Sequence, residues 1–444
     1  MSAVPELLAP AGSLAMARAA LAFGADALYA GPPRYSLRVR NNEFGDPERL
    51  AQAIDETHAL GRRFYMVVNA LPHNSKLKSF HADLAPLVAL APDALIMADP
   101  GLIDLTREAW PQMPIHLSVQ ANTMNWAAVR FWHKQGIERV ILSRELSLDE
   151  IAEIRQRCPE VELEVFVHGA LCIAHSGRCL LSGYFNRRDA NQGSCTNACR
   201  WQYQVHAADA DGNPLSAAAP APADGQGGCA FPGGSQWLIE ERERPGELMP
   251  IEEDEHGTYI LNSKDLRAIE HVERLVAIGV DSLKIEGRTK SAYYAARTTQ
   301  AYRRALDDAR AGRPFDPGLL TTLDALASRG YTEGFYRRHL PAATQNYASG
   351  ASAGGLSRYV GDVVVHDAAR GLCEVAVRNR FAVGDRVEIV QPAGNRECVV
   401  ERMEDAAGRP VGVAPGDGHR VWIALPADCV GAYLARFEPP AEIA

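Results

Sequence analysis

The sequence predicts an α/β chain: a (β/α)8 barrel of the TIM type with an inserted cysteine-cluster segment, followed by a small C-terminal all-β barrel domain. Three observations predict it. Eight short apolar runs alternate with helix-period segments through the first two-thirds of the chain. The alternation breaks only once, between Val167 and Ser282, where the cysteines concentrate. From about residue 355 helical periodicity stops, and short strand patterns separated by turn residues take over. The expected organisation is a barrel over 1–345, with a variable insertion at about 205–250, and a β domain over 355–438. An open doubly wound sheet is the alternative, because a count of strands does not show closure.

A parallel strand covered by helices is buried on both faces, so it appears as a continuous apolar run. The eight candidates are Glu6–Ala9, Ala27–Ala30, Phe64–Asn69, Ala94–Met97, Ile115–Val119, Arg139–Leu142, Leu163–Val167 and Ser282–Ile285. Helix-period segments lie between them, among them Ser13–Phe23, Pro47–Leu60, Trp126–Gln135 and Ser147–Gln156. Ser147 and Glu150 have the spacing of a capping box, in which side chain and backbone satisfy each other's free groups at the helix start. The Ala/Pro/Gly-rich stretch 217–234 predicts a flexible insertion. Helical patterns resume at Ala292–Ala311 and Pro317–Ser328. Tyr359–Val365, Cys373–Val377, Arg386–Val390, Glu397–Met403 and Arg420–Ala424 are the expected strands of the last domain.

Composition narrows the function classes. The chain has 444 residues, with 46 lysines and arginines against 55 aspartates and glutamates, a formal net charge of −9. Hydrophobic residues make up 47% and charged residues 23%, which excludes whole-chain disorder, collagen and coiled coil. No apolar run approaches the ~18 residues of a membrane span. The start, MSAVPELLAPAG, lacks a basic stretch followed by an apolar one, so a secretory signal is not expected. A cytoplasmic protein with reduced thiols and no membrane partner is the expectation. The acidic balance argues against coating nucleic acid nonspecifically, but leaves room for a local basic cleft.

Nine cysteines without a signal peptide argue against a disulfide framework. Four of them fall in one segment with the spacing Cys172-x6-Cys179-x15-Cys195-x3-Cys199. Four thiolates suit tetrahedral zinc or an iron–sulfur cluster. Zinc sites favour paired short-spaced knuckles, and only Cys195/Cys199 approaches one, so the spacing leans to iron–sulfur; zinc and unligated thiols stay open. Cys172 follows the seventh strand closely. In a (β/α) barrel that end is the C-terminal face, where active sites lie. Gly169, Gly177, Gly183 and Gly193 let backbone N–H groups approach sulfur. Arg178, Arg187, Arg188 and Arg200 bring positive charge to the same segment.

The stretch EVFVHGALC (164–172), continued by Gly177, Arg178, Cys179, Leu181 and Ser182, resembles the signature of peptidase family U32, first named for collagenase-like proteases. RYSLRVRNNEF (34–44), HLSVQAN (116–122), NQGSCTNACRW (191–201), SLKIEGRTKS (282–291) and RGYTEGF (329–335) are similar to the branch of that family that hydroxylates tRNA. The similarity runs from about residue 5 to 435, interrupted at 205–250. It implies an enzyme that converts uridine at the wobble position of tRNA to 5-hydroxyuridine, without molecular oxygen and with prephenate as co-substrate. It further implies a [4Fe-4S] cluster with Cys172, Cys179, Cys195 and Cys199 as ligands, and an unidentified redox partner. Some relatives draw a ligand from elsewhere in the chain; Cys229, in the Gly-rich stretch, is the competitor here.

Other candidates follow from position. Arg34, Arg38 and Arg40 come after the second strand and could meet phosphates or a carboxylate; surface arginines on a solvated loop are the plainer account. Arg187 and Arg188, with Tyr184 and Phe185 nearby, could continue a basic, base-stacking track or simply balance the cluster's charge. His168, Lys264, Glu286 and Arg288 are candidate catalytic groups near the ends of strands seven and eight, against a structural histidine and a barrel-closing salt bridge. Asn69, Asp99, Gln120, Asn122, Arg144 and Glu145 also follow strands and could bind a polyanion, without any one standing out. No H-E-x-x-H or G-x-S-x-G motif supports a peptidase. A peptidase, or an assembly protein with a structural cluster, are the competing functions.

Overall fold

The eight apolar runs become the eight parallel strands of a closed ring in the computed structural model: β1 (Glu6–Pro10), β2 (Ala27–Ala30), β3 (Arg63–Val68), β4 (Ala94–Met97), β5 (Ile115–Leu117), β6 (Arg139–Ile141), β7 (Glu162–Ala170) and β8 (Ser282–Ile285). Each pairs with its successor from β1 to β7, and β8 pairs in parallel with both β7 and β1. That double pairing closes the barrel and excludes the open sheet. Residues 4–37, 42–171, 264–326, 328, 330–337 and 357–437 are described, together with the backbone of short strands between 203 and 258.

The helices start where their caps require. Ser13 accepts from the Met16 amide at 3.1 Å and opens the helix Leu14–Ala22. Ser147 and Glu150 complete the expected capping box at Leu148–Arg157, the Glu150 carboxylate accepting from the Ser147 amide at 2.8 Å. Asp99, a binding candidate from sequence, accepts from the Leu102 amide at 2.9 Å and caps Pro100–Ala109. Among the described residues, no helix is long and apolar enough to cross a membrane.

The sheet continues beyond the closed ring. A short strand, Asp265–Arg267, runs antiparallel to the end of β7, pairing Asp265 with Ala170 and Arg267 with His168. Tyr331–Thr332 lies beside it. Neither has an apolar run, so neither is visible in the sequence pattern. The stretch read as an insertion also carries regular backbone: strands Tyr203–Ala208, Pro214–Ala218, Gln236–Glu241 and Leu248–Ile251 form an antiparallel sheet. Its Gly-rich core at 219–235, with Cys229, lies outside the described residues.

The C-terminal region is an antiparallel β domain around Val360, Val375, Val387 and Leu434. The predicted strands are present, with Glu397–Met403 divided into Arg396–Val399 and Met403–Glu404. The sequence pattern misses Tyr433–Phe437, which sits between Ser357–Asp367 and Arg386–Val390. The domain docks on the helix Ala292–Arg310. There Tyr293 stacks on Tyr359 with centroids 4.6 Å apart, and Arg297 pairs with Glu388 at 3.0 Å.

Candidate active site

Barrel interiors are usually filled with branched apolar side chains. Near the N-terminal strand ends this one is ionic. Arg139 of β6 bonds Glu6 of β1 at 2.7 Å and Glu164 of β7 at 3.3 Å. Lys284 of β8 bonds the other oxygen of Glu164 at 2.7 Å. All four are buried. Tyr65 donates to Glu6 at 2.7 Å, and Arg63 and Glu162 extend the network toward solvent. His116 packs edge-on to Tyr65 at 4.6 Å, and burial, with Arg139 as the next cause, holds it neutral. Burial pulls Lys284 below the ordinary lysine range, and Glu164 opposes that shift. Lys284 sits 4.2 Å from the Tyr29 ring centre and 5.5 Å from that of Phe166. These contacts turn Lys284 into the barrel.

The opposite end of the lumen is polar and much less self-satisfied. Asn69, just after β3, donates to the Ser118 hydroxyl at 3.2 Å, while its carbonyl oxygen has no hydrogen-bond partner among the described residues. The Ser143 and Thr123 hydroxyls are likewise buried without one, on neighbouring segments joined by the Ser143 amide and the Thr123 carbonyl at 3.2 Å. Arg144 lays its guanidinium on the Phe166 ring, 3.9 Å from the centre. Arg288 donates to the Ser36 hydroxyl at 2.7 Å and stands 5.5 Å from the Tyr29 ring centre. The structure thus brings Arg288 and Arg144 to the same face.

Glu286 is buried where β7 and β8 meet at that face. Its amide donates to the His168 carbonyl at 2.8 Å, and its own carbonyl accepts from the Tyr294 hydroxyl at 3.0 Å. The chains approach so closely that a Cβ on Gly169 would lie 2.4 Å from the Glu286 carbonyl oxygen. Only glycine fits there, and its φ of +104° suits no other residue well.

His168 is elsewhere than its position in the sequence suggests. Its ring lies 5.4–5.9 Å from those of Tyr294, Tyr302 and Tyr331. Two of these belong to the helix outside the barrel, so the imidazole faces that helix and not the lumen. The cause is the register: Lys284 pairs with Phe166 but Ile285 pairs with His168, and the extra β7 residue reverses the alternation. Burial pushes its pKa down to about 3, with Arg267 and Lys290 adding to the shift. This seat matches the structural-histidine alternative.

Lys264 directly precedes Asp265, opposite the end of β7, and its aliphatic stem passes 3.8 Å from where a Gly330 Cβ would be. Arg34 is tied back to the helix Phe80–Val88 by Asp83 at 3.0 Å and bonds Ser79 at 2.8 Å. Arg38, Arg40, Arg187, Arg188 and the four cysteines Cys172, Cys179, Cys195 and Cys199 lie outside the described residues. The described chain reaches Leu171, at the C-terminal end of β7, so the cysteine segment departs from the mouth face. Among the described residues, no group of histidines, cysteines and acids could hold a metal ion.

Sequence reasoning missed the ionic network. Its signal was a charged residue inside four of the eight apolar runs: Glu6, Arg139, Glu164 and Lys284. Charge is expensive in a barrel wall unless it is paired, and four such residues in one ring point to one another.

Known proteins accord with this architecture. A family model described as peptidase family U32 matches residues 12–346, and one described as the peptidase family U32 C-terminal domain matches 357–436. The tRNA hydroxylation protein P of Escherichia coli (strain K12) is 58% identical over 429 residues, covering 96% of this chain and 94% of that protein. The protein of the same name from Haemophilus influenzae is 56% identical over 435 residues, covering 96% and 94%. The 23S rRNA 5-hydroxycytidine C2501 synthase of Escherichia coli is 27% identical over 434 residues, covering 94% of this chain and 58% of that protein. With both models matched in order and two relatives aligned almost end to end, the chain belongs to peptidase family U32.

Proposed function

We propose that this protein hydroxylates tRNA, converting the wobble uridine to 5-hydroxyuridine without molecular oxygen, with prephenate as co-substrate. The observation that carries the reading is the 58% identity to a tRNA hydroxylation protein across 96% of the chain. The ribosomal RNA relative bears a name with the same kind of product, a pyrimidine hydroxylated at position 5. A base must leave its stack for its C5 atom to be attacked, and the polar barrel mouth is the face that would receive it.

In this reading Cys172, Cys179, Cys195 and Cys199 hold a [4Fe-4S] cluster, which supplies electron-transfer or Lewis-acid chemistry when bound. Arg38, Arg40, Arg187 and Arg188 meet RNA phosphates. Glu286 and Arg288 orient the substrate at the mouth, and Lys264 lies beside the departure point of the cysteine segment. His168 positions the end of β7 against its helix. The reading includes an unidentified redox partner, and a tRNA substrate would be met in the cytoplasm.

Nucleoside mass spectrometry of tRNA from a strain lacking the protein tests substrate and reaction together. Loss of 5-hydroxyuridine derivatives, restored by the wild-type chain, is expected in a strain without an oxygen-dependent enzyme for the same step. Undiminished derivatives would reject the reading. Anaerobically purified wild type should contain iron and absorb broadly near ~400 nm, and Cys179→Ala should lose iron and activity together. Gelatin cleavage by the anaerobic protein would favour a peptidase instead.

A further inference from the structure

We propose that Arg144 is the carboxylate anchor of this site, the residue that holds the acidic group of the small-molecule co-substrate. The assignment rests on the co-substrate reading above and goes beyond it by naming the residue and the chemistry.

The chain builds Arg144 into a fixed place. β6 ends at Ile141, and the helix Leu148–Arg157 begins after six intervening residues. Between them the Leu142 amide is held by the Glu164 carbonyl at 2.9 Å and the Ser143 amide by the Thr123 carbonyl at 3.2 Å. Leu146 is buried, and Ser147 is locked by its capping box. A short loop pinned on both sides holds Arg144 against Phe166 at the end of β7.

Its surroundings are unusual for an arginine. The other cations that face the lumen have oxygen partners: Arg139 has three acids, Lys284 has Glu164 and Arg288 has Ser36. Arg144 rests flat on Phe166 and has no acid or hydrogen-bond acceptor among the described residues. Stacking fixes the plane of the guanidinium and leaves its N–H edge without a partner among the described residues. That edge is the geometry that takes a carboxylate through two parallel hydrogen bonds. A guanidinium preset in this way gives up little freedom when a ligand arrives.

The depth of the group selects the kind of anion. Phe166 is an inward-facing residue of β7, whose ring is also approached by Lys284 from within the barrel. A guanidinium on that ring addresses the lumen. A group so placed suits a small acid better than a polynucleotide backbone. The hydroxyls of Ser143 and Thr123, buried without described partners, add neutral donors of the kind a carboxylate oxygen accepts.

The test is equilibrium binding by calorimetry, with anaerobic full-length wild type, Arg144→Gln and Arg144→Lys, using prephenate, inorganic phosphate and a wobble-uridine tRNA as probes. Prephenate affinity should fall about tenfold or more in Arg144→Gln, the scale of one charge-assisted hydrogen-bond pair. Arg144→Lys should recover only part of it, because a point charge lacks the planar fork. Affinity for tRNA should change less than about twofold, and all three proteins should melt together. The proposal is overturned if Arg144→Gln binds prephenate as wild type does, if wild type binds none, or if the loss falls on tRNA instead. If wild type binds prephenate through Arg144 yet forms no 5-hydroxyuridine, the anchor stands and the reaction assigned above fails.

Discussion

At one end of the barrel lumen Glu6, Arg139, Glu164 and Lys284 are paired with one another. At the other end, among the described residues, Arg144 lies on Phe166 with no acid beside it, and buried oxygens of Asn69, Ser143 and Thr123 have no hydrogen-bond partner. The same classes of side chain are used in opposite ways. Apart from His116 Nδ1, buried without a partner among the described residues, the floor satisfies itself and stabilises the barrel. Unsatisfied polar groups cost stability where they stand, and those of Asn69, Ser143 and Thr123 lie at the C-terminal face, where a bound ligand would recover that cost.

The contrast can be broken by substitution. Arg139→Met should have the largest effect on folding, because it leaves Glu6 and Glu164 buried with their principal cation gone. A loss of about 3–5 kcal/mol is expected in denaturant unfolding. A change below about 1 kcal/mol would show that the floor is not a structural network.

Acid should expose the second-largest effect. His168, with its pKa pushed down to about 3, stays neutral in the fold and takes up a proton on unfolding. Its folded value is depressed, so its contribution is fully present above the unfolded value of about 6.5 and is lost as pH falls from there toward the folded value. The slope is on the order of 1.4 kcal/mol per pH unit per histidine. His116 adds to it in the same direction. Urea midpoints measured across that window should fall less steeply in His168→Phe than in wild type; parallel curves would mean that His168 is protonated in the fold.

Ser147→Ala removes one half of the capping box beside Arg144 and should cost about 1 kcal/mol. It should also weaken prephenate binding if the pinned loop is what presets the guanidinium, and unchanged affinity would separate the cap from the site. Arg144→Gln itself should alter stability by no more than about 0.5 kcal/mol, since it breaks no described ion pair.

Much of the fold was legible because parallel strands sealed by helices must be apolar throughout, and because Ser13, Asp99 and Ser147 mark helix starts chemically. Directions inside the barrel were not legible. A residue of β7 faces the lumen or the helices according to its register, and one extra residue opposite Lys284 and Ile285 was enough to send His168 outward. The strand Asp265–Arg267 was hidden because a short polar strand has no periodicity of its own. Arg144 stood in the sequence as one of several polar residues at strand ends. Only its seat on Phe166, and the partners held by Arg139, Lys284 and Arg288, set it apart. The cysteine spacing remains the sequence's own contribution, since those residues lie outside the described ones.

In the proposed function the mouth acts on tRNA with Arg144 as a working group, while the ionic floor holds the fold. The direct measurement is the 5-hydroxyuridine content of tRNA in a strain lacking the protein, complemented with wild type or Arg144→Gln at matched soluble levels. Wild type should restore the modification, and Arg144→Gln should fall about tenfold short or worse while melting with wild type. Full restoration by Arg144→Gln, or no restoration by wild type, would contradict the account.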